Sequence, residues 1–343
     1  MADEAPEILV TGGAGYIGSH TSVALIEAGF SPVIVDNLSN SHPLAVSRIE
    51  VITGTRPAFY KCDIADQAGL RAVLERHACV ATIHFAGLKA VGRSVTEPLK
   101  TYRENLCGSL SLLQTLKAEG INRLIFSSSA TVYGGAEQMP ISETARIQPT
   151  NPYGHSKAMI ERILQDLVAA EPDWGIGVLR YFNPVGAHKS GEIGEDPRGI
   201  PDNLFPYVSQ VAVGRREKLQ VFGNDYDTKD GTGVRDYIHV MDLAEGHVAA
   251  LTSCLSAPGL FAVNLGTGQG SSVLEIIKAF EAASGRPVPY EIVGRRPGDV
   301  ATSFADPSKA GEMLNFKARR DLAQMCRDAW NWQRRNPAGY ANR

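Results

Sequence analysis

The first half of the chain alternates short, continuous apolar runs with longer stretches in which apolar residues recur at helical spacing. The apolar runs predict strands at Ile8–Thr11, Pro32–Asp36, Ala58–Cys62, Val80–Phe85, Arg123–Ser127 and Gly175–Arg180. The stretches between them predict helices, among them Ile17–Ala28, Gln67–His77, Tyr102–Glu119 and Tyr153–Ala170. Strands that are apolar throughout and joined by helices are typical of a parallel sheet covered on both faces. The pattern therefore predicts an α/β fold with a Rossmann-type, doubly wound parallel sheet.

The second half of the chain is less regular. Gly, Pro, Asn and Asp are dense over residues 183–203 and 223–233, and substrate lids are usually built from such loop-rich segments. A further strand is predicted at Val234–Met241 and an amphipathic helix over Asp321–Arg334. The predicted division is a cofactor-binding domain over residues 1–181, rejoined by about 234–264, and a smaller, loop-rich α+β substrate-binding domain over 182–233 and 265–343.

Composition narrows the class of protein without specifying a chemistry. A length of 343 residues allows about two domains, and 34 basic against 37 acidic residues give a net charge of −3, without the basic field that nucleic acid requires. No apolar run approaches the ~20 residues of a membrane helix, and the start of the sequence is acidic rather than signal-like. The cysteines are scattered and lack metal-ligand spacing, which predicts no disulfide framework, no metal site and a reducing, cytoplasmic location.

A glycine-rich segment directly follows the first predicted strand and opens the first predicted helix. Its glycines, Gly12, Gly15 and Gly18, permit a tight turn and a close approach of the backbone to a pyrophosphate at the helix N-terminus. The second predicted strand ends at Asp36, an acid placed to bind the ribose hydroxyls of adenosine and to repel a 2′-phosphate. Because no arginine lies between Asp36 and Arg48, NAD is predicted in preference to NADP.

Two further strand ends belong to the same predicted crevice. Asp63 follows the third strand, where an acid could meet the adenine amino group. Phe85, Ala86 and Gly87 close the fourth strand, and small residues there let the backbone pass close to a cofactor. Each alone is more typical of an ordinary turn. Together with the glycine-rich segment they extend the predicted NAD site along the sheet edge.

A tyrosine and a lysine one helical turn apart supply the predicted chemistry. Tyr153 and Lys157 project from one face of a helix that begins after Asn151-Pro152, and Ser127–Ser129 ends the fifth strand, where ligands of such sheets bind. The ordinary pKa of tyrosine is about 10, and lowering it by about 3 pH units requires roughly 4 kcal/mol. One lysine at about 4 Å supplies about that much at an effective dielectric of about 20. The phenolate would then take a proton from a sugar hydroxyl while hydride leaves the adjacent carbon for NAD.

Together these motifs resemble the extended short-chain dehydrogenase/reductase family, and four longer segments resemble its UDP-hexose 4-epimerases. The segments are FAGLKAVG (85–92), SSSATVYG (127–134), YFNPVGAH (181–188) and GTGVRDYIHVMD (231–242). The resemblance implies a tightly held NAD that is reduced and reoxidised within each turnover. It implies a 4-keto sugar that turns about its pyrophosphate, so that UDP-glucose and UDP-galactose interconvert. It also implies a homodimer with the helices Tyr102–Glu119 and Tyr153–Ala170 at the interface.

The resemblance implies roles for particular positions. Ser129 and Tyr153 would handle the proton, and Lys157 would bind the nicotinamide ribose and tune Tyr153. The residues implied to bind NAD are Gly12, Gly15, Tyr16, Ile17, Gly18, Asp36, Asn37, Asp63, Ile64, Phe85, Ala86, Gly87, Lys89, Tyr153, Lys157 and Tyr181. The residues implied to bind the UDP-sugar are Lys89, Ser129, Tyr153, Asn183, Asn203, Phe222, Arg235, Arg296, Asp299 and Ser303. The arginines also make physical sense, because a guanidinium fork matches phosphate oxygens.

Ser303 has a separate consequence for specificity. In the family, the matching position lines the 2-position of the sugar, where bulk excludes an N-acetyl group. Because serine is small, the resemblance implies that UDP-N-acetylglucosamine (UDP-GlcNAc) and UDP-N-acetylgalactosamine (UDP-GalNAc) are also substrates.

Three other functions compete with 4-epimerisation of a UDP-hexose. A nucleotide-sugar 4,6-dehydratase is disfavoured, because such enzymes carry Asp-Glu after a Thr on the fifth strand, where this chain has Ser129-Ala130-Thr131. A 4-epimerase of UDP-glucuronate or of a UDP-pentose stays open, since the residues do not show whether a cation lies near C6 of the sugar. A non-catalytic NAD-sensing scaffold belongs to a different class, and such proteins tend to lose the tyrosine and lysine that this chain keeps.

Overall fold

The computed structural model describes residues 5–296 and 298–341. Its strands are β1 (Glu7–Thr11), β2 (Ser31–Asp36), β3 (Ala58–Lys61), β4 (Cys79–His84), β5 (Arg123–Ser127), β6 (Gly175–Tyr181), β7 (Asn183–Val185), β8 (Leu219–Phe222), β9 (Val234–His239), β10 (Gly259–Leu265), β11 (Gly270–Ser272), β12 (Tyr290–Val293) and β13 (Thr302–Ser303). Its α-helices are α1 (Tyr16–Glu27), α2 (Pro43–Thr53), α3 (Gln67–Leu74), α4 (Val91–Thr96), α5 (Pro98–Tyr102), α6 (Gly108–Ala118), α7 (Pro152–Ala170), α8 (Leu204–Ala212), α9 (Val240–Ser256), α10 (Val273–Ser284), α11 (Ser308–Leu314) and α12 (Leu322–Arg335). A π-helical turn, Arg103–Cys107, joins α5 to α6, and 3₁₀ turns lie at Ala130–Tyr133 and Gly339–Ala341.

Parallel strands form a seven-stranded central sheet in the order β10-β6-β5-β4-β1-β2-β3. The chain starts in the middle of the sheet, winds outwards to β3, then returns past β1 to β4 and winds the other way. The adjacent strands β1 and β4 therefore mark the point at which the strand order reverses. In open α/β sheets, ligands bind in the crevice beyond the carboxyl ends of the strands at this point. The predicted Rossmann-type, doubly wound class is confirmed.

Apolar side chains bury both faces of the central sheet, which is why its strands are continuous apolar runs. In β1, Ile8 and Val10 pack on one face and Leu9 on the other, and all three are fully buried. Helices α1, α2 and α9 cover the first face, and α3, α6 and α7 cover the second. Each large apolar side chain contributes about 1.5–3 kcal/mol when fully buried, so the two cores hold the strands in place and fix the edge where they end.

Every strand predicted in the first half is present, with ends that differ by at most one residue. The predicted helix Gln67–His77 ends earlier, at Leu74, and the predicted helix Tyr102–Glu119 is interrupted by the π-helical turn. The predicted strand Val234–Met241 is wrong in its last two residues. β9 ends at His239, whose ring accepts a hydrogen bond from the Met241 amide at 3.0 Å and caps α9. An apolar run that passes directly from strand to helix does not show where the change occurs.

β9 belongs to a second sheet. It lies with β7, β11 and β13 in this four-stranded sheet, whereas α9 and β10 return to the central sheet. β8 and β12 form a separate pair, and α8, α10 and α12 pack around Phe205, Phe280 and Met325. Within residues 5–296 and 298–341, no helix is both long and apolar enough to cross a membrane.

Candidate active site

The glycine-rich turn between β1 and α1 packs tightly against the end of β4. Gly12 has a φ of +70°, and a Cβ atom there would lie 2.8 Å from the backbone nitrogen of Ala86. A Cβ atom at Gly18 would overlap the carbonyl oxygen of Gly12. A side chain is excluded at Gly12 because the turn lies against the end of β4, and at Gly18 because the turn folds back on the first turn of its own helix. The N-cap of α1, Gly15, has no side chain to satisfy the first amides of the helix, which leaves them to bind an anion.

Asp36 ends β2 beside this turn and is almost fully buried. Its Oδ2 atom accepts a hydrogen bond from the Ala14 amide at 3.1 Å. Its Oδ1 atom accepts hydrogen bonds from the Leu38 amide at 2.8 Å and from the Ser41 hydroxyl at 2.7 Å. These donors fix the orientation of the carboxylate at the predicted ribose position.

Every residue predicted to bind NAD lines one continuous cleft at the carboxyl edge of the central sheet. These residues are Gly12, Gly15, Tyr16, Ile17, Gly18, Asp36, Asn37, Asp63, Ile64, Phe85, Ala86, Gly87, Lys89, Tyr153, Lys157 and Tyr181. Asn37 donates its Nδ2 to Asp63 at 2.7 Å, which joins the ends of β2 and β3. Further lining residues that sequence analysis missed include Ser39–His42, Glu104, Gly194–Arg198 and Tyr340. Apart from Glu104, they come from segments that carry no motif or regular spacing in the sequence.

Tyr153 and Lys157 lie in the first two turns of α7, whose start is capped by the side chain of Asn151. Both side chains are buried and line the cleft. The Nζ atom of Lys157 donates to the carbonyl oxygen of Ser127 at 2.8 Å and lies 6.0 Å from the ring centre of Tyr153. Ser129, just beyond β5, forms a hydrogen bond with Tyr153. The structure therefore brings the predicted tyrosine, lysine and serine together.

The groups of the protein alone do not lower the pKa of Tyr153. Burial raises this pKa well above its ordinary value, the neighbouring Tyr181 raises it further, and the hydrogen bond with Ser129 acts in the opposite direction. The ammonium group of Lys157 donates to the Ser127 carbonyl, and the predicted lowering of the Tyr153 pKa stays a prediction for the protein with NAD bound. Burial lowers the pKa of Lys157 to about 8, and Glu161 opposes that shift. Formation of the phenolate near neutral pH requires further positive charge beside Tyr153.

Glu195 connects the two halves of the chain at the cleft, and sequence analysis missed it. Its Oε1 atom accepts hydrogen bonds from Nζ of Lys89 at 2.8 Å and from Nδ2 of Asn203 at 3.2 Å. Its backbone carbonyl accepts a hydrogen bond from the indole of Trp332 at 3.2 Å. Because Lys89 is predicted for both ligands and Asn203 for the sugar, one carboxylate links the two sets of predicted residues.

Most of the residues predicted to hold the uridine diphosphate form a second cluster beside β9. Arg296 lies 3.0 Å from Asp299, and its guanidinium lies 5.6 Å from the ring centre of Phe222. Arg235 lies 3.9 Å from the same carboxylate and pairs in register with Ser303. Two guanidinium groups and an aromatic ring are thus gathered around one acid. This combination suits a ligand with both phosphates and a flat base.

Asn183 lies at the junction of the central and second sheets. It begins β7, follows Tyr181 of the cleft after one residue, and pairs in register with Tyr237 of β9. Its side chain is exposed. Asn183 therefore lies on the chain path between the NAD cleft and the strand that carries Arg235.

Asn105, in the π-helical turn, is a second residue that sequence analysis missed. Its Oδ1 atom accepts a hydrogen bond from the Leu88 amide at 2.7 Å, and its Nδ2 donates to the Leu88 carbonyl and to the Ser156 hydroxyl, each at 3.0 Å. Ser156 in turn donates to the carbonyl of Tyr153 at 2.7 Å. Asn105 thereby ties the loop after β4 to the start of α7. Such single π-helical turns are frequent at functional sites, but no sequence pattern marks them.

The fold and the site define the class of protein. A doubly wound sheet, a glycine-rich turn, an acid at the end of the second strand and a Tyr–Lys pair at the strand ends are the features of an extended short-chain dehydrogenase/reductase. A family model described as GDP-mannose 4,6 dehydratase matches residues 9–329, nearly the whole chain.

Individual relatives narrow this class. The UDP-glucose 4-epimerase of Bacillus subtilis (strain 168) is 57% identical over 333 residues, which cover 97% of this chain and 98% of the relative. The crystal structure of UDP-glucose 4-epimerase from Bifidobacterium longum, in complex with NAD+ and UDP, is 52% identical with a TM-score of 0.95 and covers 97% of this chain and 100% of that one. The UDP-glucose-4-epimerase from Stenotrophomonas maltophila, with bound NAD and formylated UDP-arabinopyranose, is also 52% identical with a TM-score of 0.95, over 97% of this chain and 99% of that one. The chain therefore belongs to the UDP-glucose 4-epimerase family. The expected enzyme class, an isomerase, and the expected NAD cofactor are confirmed at the level of the family.

Proposed function

We propose that the chain interconverts UDP-glucose and UDP-galactose by transient oxidation at C4 of the sugar, with NAD held in the cleft. The observation that carries this proposal is the meeting of Tyr153 and Lys157, with Ser129 beside Tyr153, in the cleft that all the predicted NAD residues line. When bound, NAD would supply the hydride acceptor for C4 and the hydride that returns to the opposite face of C4 within the same turnover. The curated and solved relatives support the same reaction and the same cofactor.

The shape and the donors of the cleft fit a dinucleotide. The turn at Gly12 and Gly18 has no room for side chains, so backbone amides can contact a pyrophosphate directly. Asp36 is proposed to bind the adenosine ribose, since its carboxylate is fixed at the end of β2. Lys157 is proposed to bind the ribose at the other end of the cofactor.

Tyr153 is the proposed acid–base group. It would take the proton of the C4 hydroxyl as hydride leaves C4, and return the proton when the hydride comes back. Burial favours the protonated phenol, so Tyr153 gives up its proton only while positive charge lies nearby. Lys157 supplies part of that charge, and Ser129 donates a hydrogen bond to the reacting oxygen. Burial thus keeps Tyr153 protonated whenever the positive charge near its hydroxyl is lost.

The second half of the chain is proposed to hold the UDP-sugar. Arg235 and Arg296 would bind the pyrophosphate, and Phe222 would contact the flat uracil ring. Asp299 lies between the two guanidinium groups and would keep them pointed at a common ligand. In this proposal the NAD domain consists of residues 1–181 with 240–265, and the UDP-sugar domain consists of 182–239 and 266–343.

We further propose that the enzyme accepts UDP-GlcNAc and UDP-GalNAc. Ser303 supports this extension, because it is a small residue beside Arg235 in the second sheet. A bulky side chain at the same place would occupy the volume that an N-acetyl group needs.

We also propose a homodimer that forms through the helices around the π-helical turn and α7. Exposed apolar side chains support this surface, since Leu99 is 84% and Met159 is 43% exposed. Val95 and Leu110 are exposed on the neighbouring helices. Apolar residues clustered on helices in this way are typical of a subunit interface. The free cysteines support a reducing, cytoplasmic location.

A product assay without added NAD tests the proposed function. Purified protein is incubated separately with UDP-galactose, UDP-GalNAc and UDP-galacturonate, and the nucleotide sugars are separated. Conversion of UDP-galactose to UDP-glucose supports the proposal, and conversion of UDP-galacturonate alone would replace it with a UDP-glucuronate 4-epimerase. If no sugar is converted and no nicotinamide is bound, the chain is a non-catalytic scaffold.

A further inference from the structure

A buried ion pair lies directly behind the catalytic side chains and has no role in the proposed chemistry. Arg180 of β6 holds Glu161 of α7 with both carboxylate oxygens engaged, at 3.1 Å and 2.6 Å. The side chains are only 6% and 5% exposed. Burying two charges costs several kcal/mol per ion, and apolar side chains of similar size would often stabilise a fold equally well. The pair therefore calls for a functional explanation.

Glu161 shares a helix face with the catalytic residues. Tyr153, Lys157 and Glu161 follow one another at single-turn intervals, and all three are buried. Each of three consecutive strand-end residues meets one of them: Ser127 meets Lys157, Ser128 meets Glu161 and Ser129 meets Tyr153. The middle contact is a short hydrogen bond of 2.5 Å from the Ser128 hydroxyl to Oε1 of Glu161. This bond fixes the register between the strand end and the helix face.

Arg180 anchors Glu161 to the opposite side of the site. Its Nη1 donates to the hydroxyl of Tyr133 at 3.1 Å and to the carbonyl of Glu143 at 3.2 Å. Tyr133 in turn donates to Oδ1 of Asn264 in β10 at 2.6 Å. Because every arm of the guanidinium is engaged, Arg180 is itself held in place, and a shift of Glu161 would break its bonds to Arg180 and to Ser128.

We propose that Glu161, held by Arg180, is a positioning residue that fixes Ser127–Ser129 against Tyr153 and Lys157 and places a negative charge one helical turn from Lys157. The proposal deepens the proposed function and rests on it, since the positioned groups are those of the epimerase reaction. Neither Glu161 nor Arg180 needs to touch a ligand for this role.

The charges around Lys157 agree with this role. Burial lowers the pKa of Lys157 to about 8, and Glu161 raises it. Other titratable and charged groups near this site include Tyr153 on α7, His84 on β4, Arg180 and Tyr181 on β6, His247 on α9, Glu104 on the π-helical turn and Lys89 after β4. Burial lowers the pKa of His84 to about 3 and that of His247 to about 4, so both rings stay neutral where Lys157 titrates. Removal of Glu161 would take away the counter-charge and leave the positive Arg180 unpaired, and both changes lower the pKa of Lys157.

The kinetic test compares two variants with a matched control. Glu161→Gln removes the charge, Ser128→Ala removes only the register bond, and Asp166→Asn removes an exposed ion pair with Arg162 on the same helix. For Glu161→Gln we expect kcat with UDP-galactose to fall about tenfold to a hundredfold, because a small misplacement of the reacting groups costs about that much in rate. KM should stay within about twofold of the wild-type value. The alkaline limb of the kcat profile is expected to move to lower pH. Ser128→Ala is expected to lose about threefold in kcat, and Asp166→Asn should match wild type.

A second measurement does not depend on activity. The titration of isotope-labelled Lys157 is followed by NMR and assigned with Lys157→Met. Glu161→Gln is expected to lower the midpoint of this titration, and Asp166→Asn is expected to leave it unchanged. If Glu161→Gln and Ser128→Ala both fold and keep the wild-type kcat, and the midpoint of the Lys157 titration is unchanged, the ion pair is merely structural and the proposal is overturned. If Glu161→Gln does not fold, the expected loss of about threefold in kcat for Ser128→Ala supports the proposal, and a wild-type kcat for that variant overturns it. If wild-type protein converts no sugar, the proposed function fails, while the Lys157 titration still decides whether Glu161 holds the charge.

Discussion

The ammonium group of Lys89 lies 2.8 Å from the carboxylate of Glu195, and this ion pair bridges the NAD-binding half and the loop-rich half of the chain. The same carboxylate accepts a hydrogen bond from Asn203. One acid therefore sets the position of a residue proposed for NAD and of a residue proposed for the sugar.

Replacing Glu195 by glutamine is expected to weaken ligand binding more than chemistry. The variant keeps the shape of the side chain but leaves Lys89 without its charged partner. We expect the KM for UDP-galactose and the Kd for NAD to rise about three- to tenfold, or ~0.7–1.4 kcal/mol, with kcat within about twofold. Glu291→Gln, which breaks the exposed pair with Lys218, is the matched control. A loss confined to kcat would contradict this prediction.

Replacing Tyr153 by phenylalanine is expected to abolish proton transfer while leaving the fold and the cofactor in place. The loss in kcat should be about 10²- to 10⁴-fold, the usual contribution of a general acid–base group. Bound NAD, measured after denaturation of the purified protein, should stay close to the wild-type amount. Tyr290→Phe, at an exposed position on β12, is the control. A Tyr153→Phe enzyme with more than about a tenth of wild-type kcat would show that another group moves the proton.

His84 is expected to make the fold sensitive to acid. Its ring lies between the hydroxyls of Thr11 and Ser109, at 2.8 Å and 2.9 Å, and burial followed by the charge of Lys157 lowers its pKa from 6.5 to about 3. The folded state then binds fewer protons than the unfolded state between these values. The contribution to stability is complete above pH 6.5 and is lost as the pH falls towards 3, by up to about 1.4 kcal/mol per pH unit.

Denaturant unfolding between about pH 4.5 and 6.5 measures this dependence. His84→Gln should reduce the slope of the free energy of unfolding against pH, whereas His155→Gln, at an exposed position, should not. Equal slopes in the two variants would rule out His84 as a source of the acid sensitivity.

Enlarging residue 303 is expected to change specificity without removing the basic activity. Wild-type protein should convert both UDP-galactose and UDP-GalNAc. Ser303→Tyr should lose at least about tenfold in kcat/KM for the acetylated sugar and keep the plain sugar within about threefold, while Ser303→Ala should keep both. The proposal fails if wild type ignores UDP-GalNAc or if the tyrosine variant continues to use it.

A charge on the exposed helix surface is expected to break the proposed dimer. Leu99→Asp would place a carboxylate in the apolar interface. The free energy of desolvating this charge exceeds the free energy gained from the subunit contact. Sedimentation velocity should then shift from dimer to monomer. Val51→Asp, at an exposed apolar position on α2, is the control and should stay dimeric. A wild-type protein that sediments as a monomer would remove the dimer proposal altogether.

The central sheet could be predicted from the sequence because its signal is local. Residues such as Ile8, Val10 and Ile34 are buried on strands that are covered on both faces. Each of these strands is therefore a continuous apolar run bounded by glycine or polar residues. The glycine-rich turn and the acid at Asp36 have a fixed relation to the first two strands, and for this reason the residues predicted to bind NAD line one cleft. Tyr153 and Lys157 share one helix, so their spacing alone placed them together.

Other parts of the site depend on contacts between distant segments. Glu195 lies in a glycine- and proline-rich stretch, and only the fold brings it to Lys89 and to the indole of Trp332. Arg180 is a charge inside an apolar strand, and its partner Glu161 is indistinguishable from a surface acid in the sequence. The boundary between β9 and α9 was also not predictable, because the run Ile238 to Met241 is compatible with either structure.

Tyr340 lines the same cleft as Gly12, although almost the whole chain separates them. Its ring stacks on His42 of the loop after β2, and the guanidinium of Arg48 lies 4.9 Å from its centre. A chain leaving the ribosome at about 5–20 residues per second forms the early strands well before this residue has been made. The dinucleotide groove therefore lacks part of its wall until Tyr340 has been made, which is long after the early strands have formed.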